Sequence, residues 1–155
     1  TITSETGEKL ALVDCRWMAV DTEVGRILRT PGWTMPDFQN DDLPEELPQI
    51  VHKSQPQTAA GERRASYSMC DLNGHINNAL YLDIACDALP QEVVEAAPLS
   101  FASIKYHREV PMGQTVQVFY APSGNGWYLL GRREEHAAFE CYLEFGSSVT
   151  ESLQK

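Results

Sequence analysis

The sequence predicts an α+β fold in which one long central helix is wrapped by an antiparallel β-sheet. Residues 76–89 form an apolar run that contains no Gly or Pro and stops before Pro90, which predicts the helix. Short stretches of alternating polarity, separated by turn residues, follow from residue 100 onward and predict the sheet. At 155 residues with 43% hydrophobic content, the chain is long enough to bury a core. A helix followed by a run of strands is typical of an α+β domain.

The first third of the chain is predicted to form a hairpin and a linker. Residues 9–29 are rich in strand formers on either side of a turn at 21–25, which predicts a β-hairpin. Residues 31–60 contain several prolines and an acidic run at 36–50 that has no Lys or Arg. Such a segment has too many breakers for a core element, so we expect a linker or a surface loop.

Residues 61–155 are predicted to form one compact unit. A strand near 64–70 enters the helix at 76–89, which is apolar nearly all round and is therefore expected to be buried. A short mixed piece at 91–97 precedes the sheet. The predicted strands of the sheet cover residues 100–110, 115–120, 127–133 and 136–145, with a strong turn signal at 122–126. In the first of these strands, Lys105, His107 and Glu109 are expected to share one face.

The polar residues with chemical capability are concentrated just before the predicted helix. Asp71, Asn73 and His75 alternate on a predicted extended approach, so their side chains are expected to point the same way. A helix start near Gly74 and Ile76 would offer unpartnered N–H groups to an oxygen that becomes negative. Plainer roles are open for each residue, because Asp and Asn are common helix caps and a single His is often a structural hydrogen-bonding group.

Several motifs in a fixed order carry a resemblance to a known family. These are Arg63-Arg64, Asp71-Leu-Asn-Gly-His-Ile-Asn-Asn-Ala-Leu-Tyr81, Leu89-Pro-Gln-Glu-Val-Val-Glu95 and Ile104-Lys-Tyr-His-Arg-Glu109. Together they resemble the second half of the plant and bacterial acyl-acyl carrier protein (acyl-ACP) thioesterases, most strongly over about residues 60 to 115. The resemblance implies a hotdog fold and hydrolysis of fatty acyl-ACP thioesters to free fatty acid. It also implies that residues 1–30 are the tail of a first, incomplete hotdog repeat and that 61–155 are a complete one.

The same resemblance implies which residues form the active site. The family's active-site Asp, Asn, His and Glu match Asp71, Asn73, His75 and Glu109 of this sequence. Either carboxylate could take a proton from water, the imidazole could orient that water, and the amide could hold the thioester. Direct attack of Asp71 on the thioester stays open as a variant. Many members of the family have a Cys after the Glu, but this chain has Val110, which excludes a thiol nucleophile there. No metal or cofactor is expected.

Charge and composition indicate the kind of partner. The net charge of −10 argues against nucleic-acid binding. Near the predicted site, Arg63, Arg64, Lys105, His107 and Arg108 are expected to form a basic group that guides acyl carrier protein and its phosphopantetheine arm. A plain solvated face is the alternative.

The remaining expectations concern redox state, compartment and assembly. The cysteines are scattered without a C-x-x-C pair, which favours free thiols in a reducing compartment. No apolar run approaches 18 residues, so no membrane span is expected, and the expected compartment is the cytoplasm, or the plastid stroma in a plant. Half of a double hotdog would expose a sheet edge, so we expect a homodimer or higher self-association.

Two other functions are compatible with these residues. A single-hotdog acyl-CoA thioesterase of the hydroxybenzoyl-CoA kind also has an Asp ahead of a Gly-His helix start. A hotdog protein that binds acyl groups without turnover is the second alternative. Substrate preference and turnover distinguish the three.

Overall fold

The computed structural model describes residues 1–16, 20, 21, 23, 24, 26, 27, 47, 55 and 58–146. The chain divides into two units, Thr1–Pro48 and Gln49–Lys155. In the first unit, β1 (Ile2–Thr3) pairs with β2 (Lys9–Ala11), and β3 (Val20–Asp21) pairs with β4 (Arg26–Ile27), both antiparallel. The predicted reversal of the chain at 21–25 is therefore confirmed, but the predicted strand at 9–20 is wrong over residues 12–16, because β2 ends at Ala11. The predicted linker lies mostly outside the described residues.

A five-stranded antiparallel sheet is the main element of the second unit. Its strands are β5 (Thr58–Arg64), β6 (Leu99–Tyr106), β7 (Thr115–Ser123), β8 (Gly126–Arg133) and β9 (His136–Phe145). Their order in the sheet is β5-β7-β8-β9-β6. The meander of β7, β8 and β9 is confirmed, and β9 has the predicted bounds. The first and last strands of this order, β5 and β6, lie at opposite edges.

The central helix, α1, spans Leu80–Asp87 and is shorter than predicted. Its first turn starts late because Ile76 and Asn77 are held in extended pairing: their N–H groups donate to the carbonyl oxygens of Val110 (3.0 Å) and Met69 (2.9 Å). The side-chain Oδ1 of Asn77 then accepts the N–H of Ala79 at 3.0 Å, which starts the turn into the helix. At the other end, α1 stops before Pro90 as predicted, and α2 (Gln91–Ala96) follows.

One face of α1 packs against the sheet. Tyr81, Ile84 and Ala85 are buried, whereas Asp83 and Asp87 are exposed, so α1 is amphipathic rather than buried all round. The core cluster contains these helix residues and the inward side chains of the meander, which are Val116, Val118, Leu129, Phe139, Cys141 and Leu143. One helix against an antiparallel sheet is the predicted α+β arrangement.

The strand predicted at 64–70 is wrong. β5 ends at Arg64, and Tyr67–Met69 forms a single 3₁₀ turn in which the N–H of Met69 donates to the Ser66 carbonyl at 3.0 Å. The chain therefore enters the site through a turn.

The predicted end of the first sheet strand is also wrong, because β6 stops at Tyr106. The N–H groups of His107 and Arg108 both donate to the Ala138 carbonyl, at 2.8 and 3.0 Å, which interrupts the alternation of side chains. The imidazole of His107 consequently turns towards Glu140, at 2.6 Å. Glu109 lies elsewhere, as described below.

The four cysteines are free thiols, with Cys141 buried and Cys15 exposed. In the part of the chain that the structure describes, no helix is long and apolar enough to cross a membrane.

Candidate active site

A tight loop places Asp71 and His75 side by side. Cys70 and Ile76 pair as an antiparallel bridge, and the N–H of Asp71 donates to the His75 carbonyl at 3.0 Å. Gly74 completes the turn with φ of 79°, a left-handed conformation that favours glycine. The predicted extended approach is therefore wrong. Closure of the loop, rather than alternation along a strand, brings the residues at its two ends together.

His75 lies between two carboxylates. Its Nδ1 atom is 3.9 Å from Oδ1 of Asp71, and its Nε2 atom is 3.4 Å from Oε1 of Glu109. The exposed fractions of the side chains are 19% for His75, 27% for Asp71 and 73% for Glu109. A partly shielded imidazole beside two carboxylates can bind a water molecule and orient it, so that a carboxylate can take a proton from that water. The structure therefore brings together three of the four predicted site residues.

Asn73 takes part through its backbone. Its N–H donates to Oδ1 of Asp71 at 2.8 Å, in the kind of turn that an aspartate side chain makes with the residue two positions on. Its side chain is exposed and makes no hydrogen bond to any residue that the structure describes. The backbone of Asn73 thus orients the Asp71 carboxylate, and a substrate contact by its amide stays a prediction.

The predicted oxyanion donors, Gly74 and Ile76, do not lie at a helix N-terminus. Helix α1 begins only at Leu80. The Gly74 N–H donates to the Asp71 carbonyl, and the Ile76 N–H donates to the Val110 carbonyl, both at 3.0 Å. Placing these two groups at the helix start was therefore wrong, because bridge pairing keeps Ile76 extended.

A different N–H of the loop is available. Within residues 73–77, the groups other than that of His75 donate to backbone or carboxylate oxygens. The N–H of His75 has no acceptor among the described residues. This N–H belongs to His75, whose side chain lies between the carboxylates of Asp71 and Glu109. The loop thus has a backbone donor next to its partly shielded imidazole.

Two residues that sequence reasoning missed contact the backbone next to Glu109. Arg133 donates from Nη1 to the Glu109 carbonyl at 2.7 Å. The hydroxyl oxygen of Tyr81 lies near the N–H of Val110. Burial raises the pKa of Tyr81 to about 12, so this hydroxyl keeps its proton at neutral pH. Tyr81 closes the sequence motif around the site, but nothing in the spacing of Arg133 signals its contact.

The predicted basic group is divided between two edges of the sheet. Arg63 and Arg64 belong to β5, whereas Lys105 belongs to β6 and Arg108 follows it. Adjacent strands are about 4.8 Å apart, so the four spacings between these edges amount to about 19 Å along the sheet. The Arg63 guanidinium forms an ion pair with Asp87 at 2.8 Å. The prediction of a single basic group is therefore wrong. Lys105 and Arg108 are exposed and lie at the β6 edge of the sheet, close in sequence to Glu109.

Comparison with known families agrees with the motifs. The model of the acyl-ACP thioesterase C-terminal domain matches residues 53–151. The chain belongs to this family. The match covers the entire five-stranded sheet, α1 and the loop that holds Asp71 and His75, so the resemblance found in the sequence is confirmed.

The curated proteins that are similar to this member of the acyl-ACP thioesterase family are longer than the chain. The chloroplastic palmitoyl-acyl carrier protein thioesterase of Gossypium hirsutum is 28% identical over 123 residues, which cover 74% of this chain and 30% of that protein. The chloroplastic acyl-[acyl-carrier-protein] hydrolase of Cuphea viscosissima is 25% identical over 135 residues, which cover 79% and 32%. The chain thus spans about a third of the length of these relatives.

Solved structures confirm the fold of this family member. An acyl-ACP thioesterase from Bacteroides thetaiotaomicron superposes with a TM-score of 0.67 at 20% identity, covering 82% of this chain and 53% of that chain. The 12:0-ACP thioesterase from Umbellularia californica superposes with a TM-score of 0.62 at 17% identity, covering 82% and 52%. The predicted α+β hotdog fold is therefore confirmed.

Proposed function

We propose that this chain hydrolyses fatty acyl-ACP thioesters and releases free fatty acid. The observation that carries the proposal is the imidazole of His75 between the carboxylates of Asp71 and Glu109, in a member of the acyl-ACP thioesterase family. The relatives described above are named as hydrolases of acyl carrier protein thioesters.

In the proposed mechanism, a water held by His75 Nε2 and Glu109 Oε1 attacks the thioester carbonyl carbon. The separation of 3.4 Å between these two atoms is longer than a direct hydrogen bond of about 2.7–3.2 Å, which leaves both groups able to bind a shared water. Glu109 takes a proton from the water as the new C–O bond forms. Asp71, on the Nδ1 side of the ring, holds the imidazole in place.

The carbonyl oxygen becomes negative in this step and needs a donor. We propose the N–H of His75, since it is the loop donor without an acceptor among the described residues. Loss of one such donor costs enzymes of this type roughly 3 kcal/mol in the transition state. When the tetrahedral intermediate collapses, the C–S bond breaks. The proton held by Glu109 passes to the departing phosphopantetheine thiolate, which restores the carboxylate.

We further propose that residues 61–155, together with the start of β5 at Thr58, form the complete hotdog repeat of the family. Residues 1–30 would be the tail of the first repeat, and 31–60 would connect the two. Every strand of the five-stranded sheet and α1 fall within the second unit, which supports this division. β5 is exposed along its whole length at the sheet edge, which supports self-association through that strand.

Lys105 and Arg108 are the residues that we propose to contact the acidic carrier. Both are exposed, and they flank the path from β6 to Glu109. An acidic partner guided to this edge would deliver its thioester next to the carboxylate. The protein would then work where acyl carrier protein is present, in the cytoplasm or the plastid stroma.

The test is hydrolysis of matched acyl-ACP and acyl-CoA substrates by the chain and its variants. Asp71→Asn and Glu109→Gln should each lower kcat by at least about 100-fold, as expected for loss of acid–base groups. The matched controls Asp83→Asn and Glu92→Gln change exposed carboxylates on α1 and α2 and should retain full activity.

Three results would contradict this proposal. Full activity of both site variants would remove the carboxylates from the mechanism. Equal or faster hydrolysis of acyl-CoA would favour an acyl-CoA thioesterase. Binding of acyl-ACP with no free fatty acid over hours would favour a non-catalytic binding protein.

A further inference from the structure

The backbone that carries Glu109 lies outside the regular sheet. β6 ends at Tyr106, and the ladder with β9 is interrupted at His107. The Glu109 side chain is 73% exposed, so packing does not fix its carboxylate. Its position relative to His75 must therefore come from contacts that hold the main chain.

The peptide group between Glu109 and Val110 faces side chains from other elements, and one of them is hydrogen-bonded to it. Nη1 of Arg133 donates to the Glu109 carbonyl at 2.7 Å. The hydroxyl oxygen of Tyr81 lies near the N–H of Val110. The Val110 side chain is fully buried, and its carbonyl accepts the Ile76 N–H at 3.0 Å. This short segment is thus held from three directions.

The two side chains come from regular elements, α1 and β8. The Tyr81 ring, on the buried face of α1, packs edge-on against Tyr106 (centroids 5.4 Å apart) and Phe139 (5.1 Å). Arg133 is the last residue of β8, and its backbone pairs with His136 of β9. The contacts therefore connect the Glu109 segment to the helix and to the centre of the sheet.

We infer that Arg133 is a positioning residue that holds the Glu109 carboxylate at His75 during thioester hydrolysis. The inference rests on the proposed function and adds the residue on which the proposed base depends. A misplacement of about 1 Å at a reacting group can lower a rate by about 100-fold. Arg133 does not need to touch the substrate to have this effect.

The first experiment compares two substitutions of Arg133 with a neighbouring control. Arg133→Met removes the donor and should lower kcat by about 10- to 100-fold with little change in KM. Arg133→Lys keeps a donor and should recover most of the lost kcat. The control is Arg132→Met, because the Arg132 guanidinium lies over the Phe119 ring at 5.5 Å and does not contact Glu109. It should leave kcat unchanged.

The second experiment repeats Arg133→Met in a Glu109→Gln background. If Arg133 acts through the Glu109 carboxylate, its loss should lower the residual rate less than about threefold there, since effects that pass through one group are not additive. A general structural role would lower the rate equally in both backgrounds, and that result would overturn the inference while leaving the proposed function intact. Full activity of Glu109→Gln would instead overturn the proposed role of Glu109 as the base and, with it, the positioning role.

Amide hydrogen exchange provides a measurement that does not depend on turnover. Arg133→Met should speed exchange at the amides of Val110 and Ile76, whereas Arg132→Met should not, because only the former releases the Glu109 peptide. Equal exchange in the two variants would overturn the positioning role even in a preparation that shows no hydrolysis.

Discussion

The Nε2 atom of His75 lies 3.4 Å from the Oε1 atom of Glu109, and the two residues reach this distance from separate segments. His75 closes the loop before α1, whereas Glu109 follows the edge strand β6. The Ile76 N–H donates to the Val110 carbonyl at 3.0 Å, and this backbone hydrogen bond joins the residues that follow His75 and Glu109. The geometry of the site therefore depends on main-chain conformation, and changes of backbone preference should alter activity as well as stability.

Gly74→Ala should destabilise the protein by about 1–2 kcal/mol, the cost of a side chain at left-handed φ. The added methyl group would meet no atom within 4 Å, so backbone strain is the expected cause. Urea unfolding measures the change. Gly74→Asn is the control, because Asn tolerates this conformation better and should lose less stability. An Ala variant as stable as the parent would contradict the strained turn.

Gly131→Ala should destabilise the protein by about 1–3 kcal/mol or more, through overpacking. Gly131 lies directly opposite Phe139 in the β8–β9 ladder, and an added Cβ would clash with the phenyl ring. Thermal and urea unfolding measure the loss. The double variant Gly131→Ala, Phe139→Leu should lose less than the sum of the single changes. Additive losses would show that the ring does not occupy the space above this glycine.

Stability should fall as the pH rises above about 10. Burial raises the pKa of Tyr81 to about 12, above the value of about 10 for an exposed tyrosine. The folded state therefore holds this proton more tightly than the unfolded chain does. The stabilisation is fully present below pH 10 and is lost as the pH rises through 12.

Tyr81→Phe tests this assignment. It should lower stability at pH 8, because the N–H of Val110 loses the hydroxyl oxygen near it, and it should also make the fall between about pH 10 and 12 shallower. Burial raises the pKa of Tyr142 to about 12 as well, so part of the fall should remain. Urea unfolding across this pH range gives both slopes, and identical slopes would contradict the role of Tyr81.

Glu140→Ala should destabilise the fold by about 3 kcal/mol, as for other broken buried ion pairs. The Glu140 side chain is buried and is hydrogen-bonded at 2.6 Å to both the Tyr128 hydroxyl and Nε2 of His107. Because Glu140 alternates along β9 with the residues that pack under α1, it lies on the face opposite the helix. The folded variant should therefore keep its kcat, and a selective loss of kcat at unchanged stability would contradict this separation.

Local signals predicted the meander well. The turn residues at 122–126 and the alternating stretches on either side of them depend on near neighbours, and the structure has a strand at each predicted stretch. The turn is shorter than predicted, because β7 extends to Ser123 and β8 begins at Gly126. The helix start was placed too early because an apolar residue such as Ile76 suits a buried helix and a buried bridge equally well. Its pairing with Cys70 and Val110 is a long-range property.

The candidate site was predicted from the family resemblance more than from the sequence pattern. Asp71 and His75 meet because a turn closes at Gly74, not because they alternate along a strand. The contact of Arg133 with the Glu109 carbonyl joins a side chain to main chain across the fold, and such a contact leaves no periodicity in the sequence. The division of the basic residues between two edges likewise follows from strand order, which spacing along the chain does not encode.

Helix α1 has only eight residues, and helices shorter than about 12–15 residues are marginal in water on their own. Its formation must therefore wait for the meander whose side chains cover Tyr81 and Ile84. Pairing between distant strands is the slow part of folding in such topologies. During refolding, the proposed thioester hydrolysis should consequently return only with the last, cooperative phase, and a short peptide spanning the loop and helix would not reproduce it.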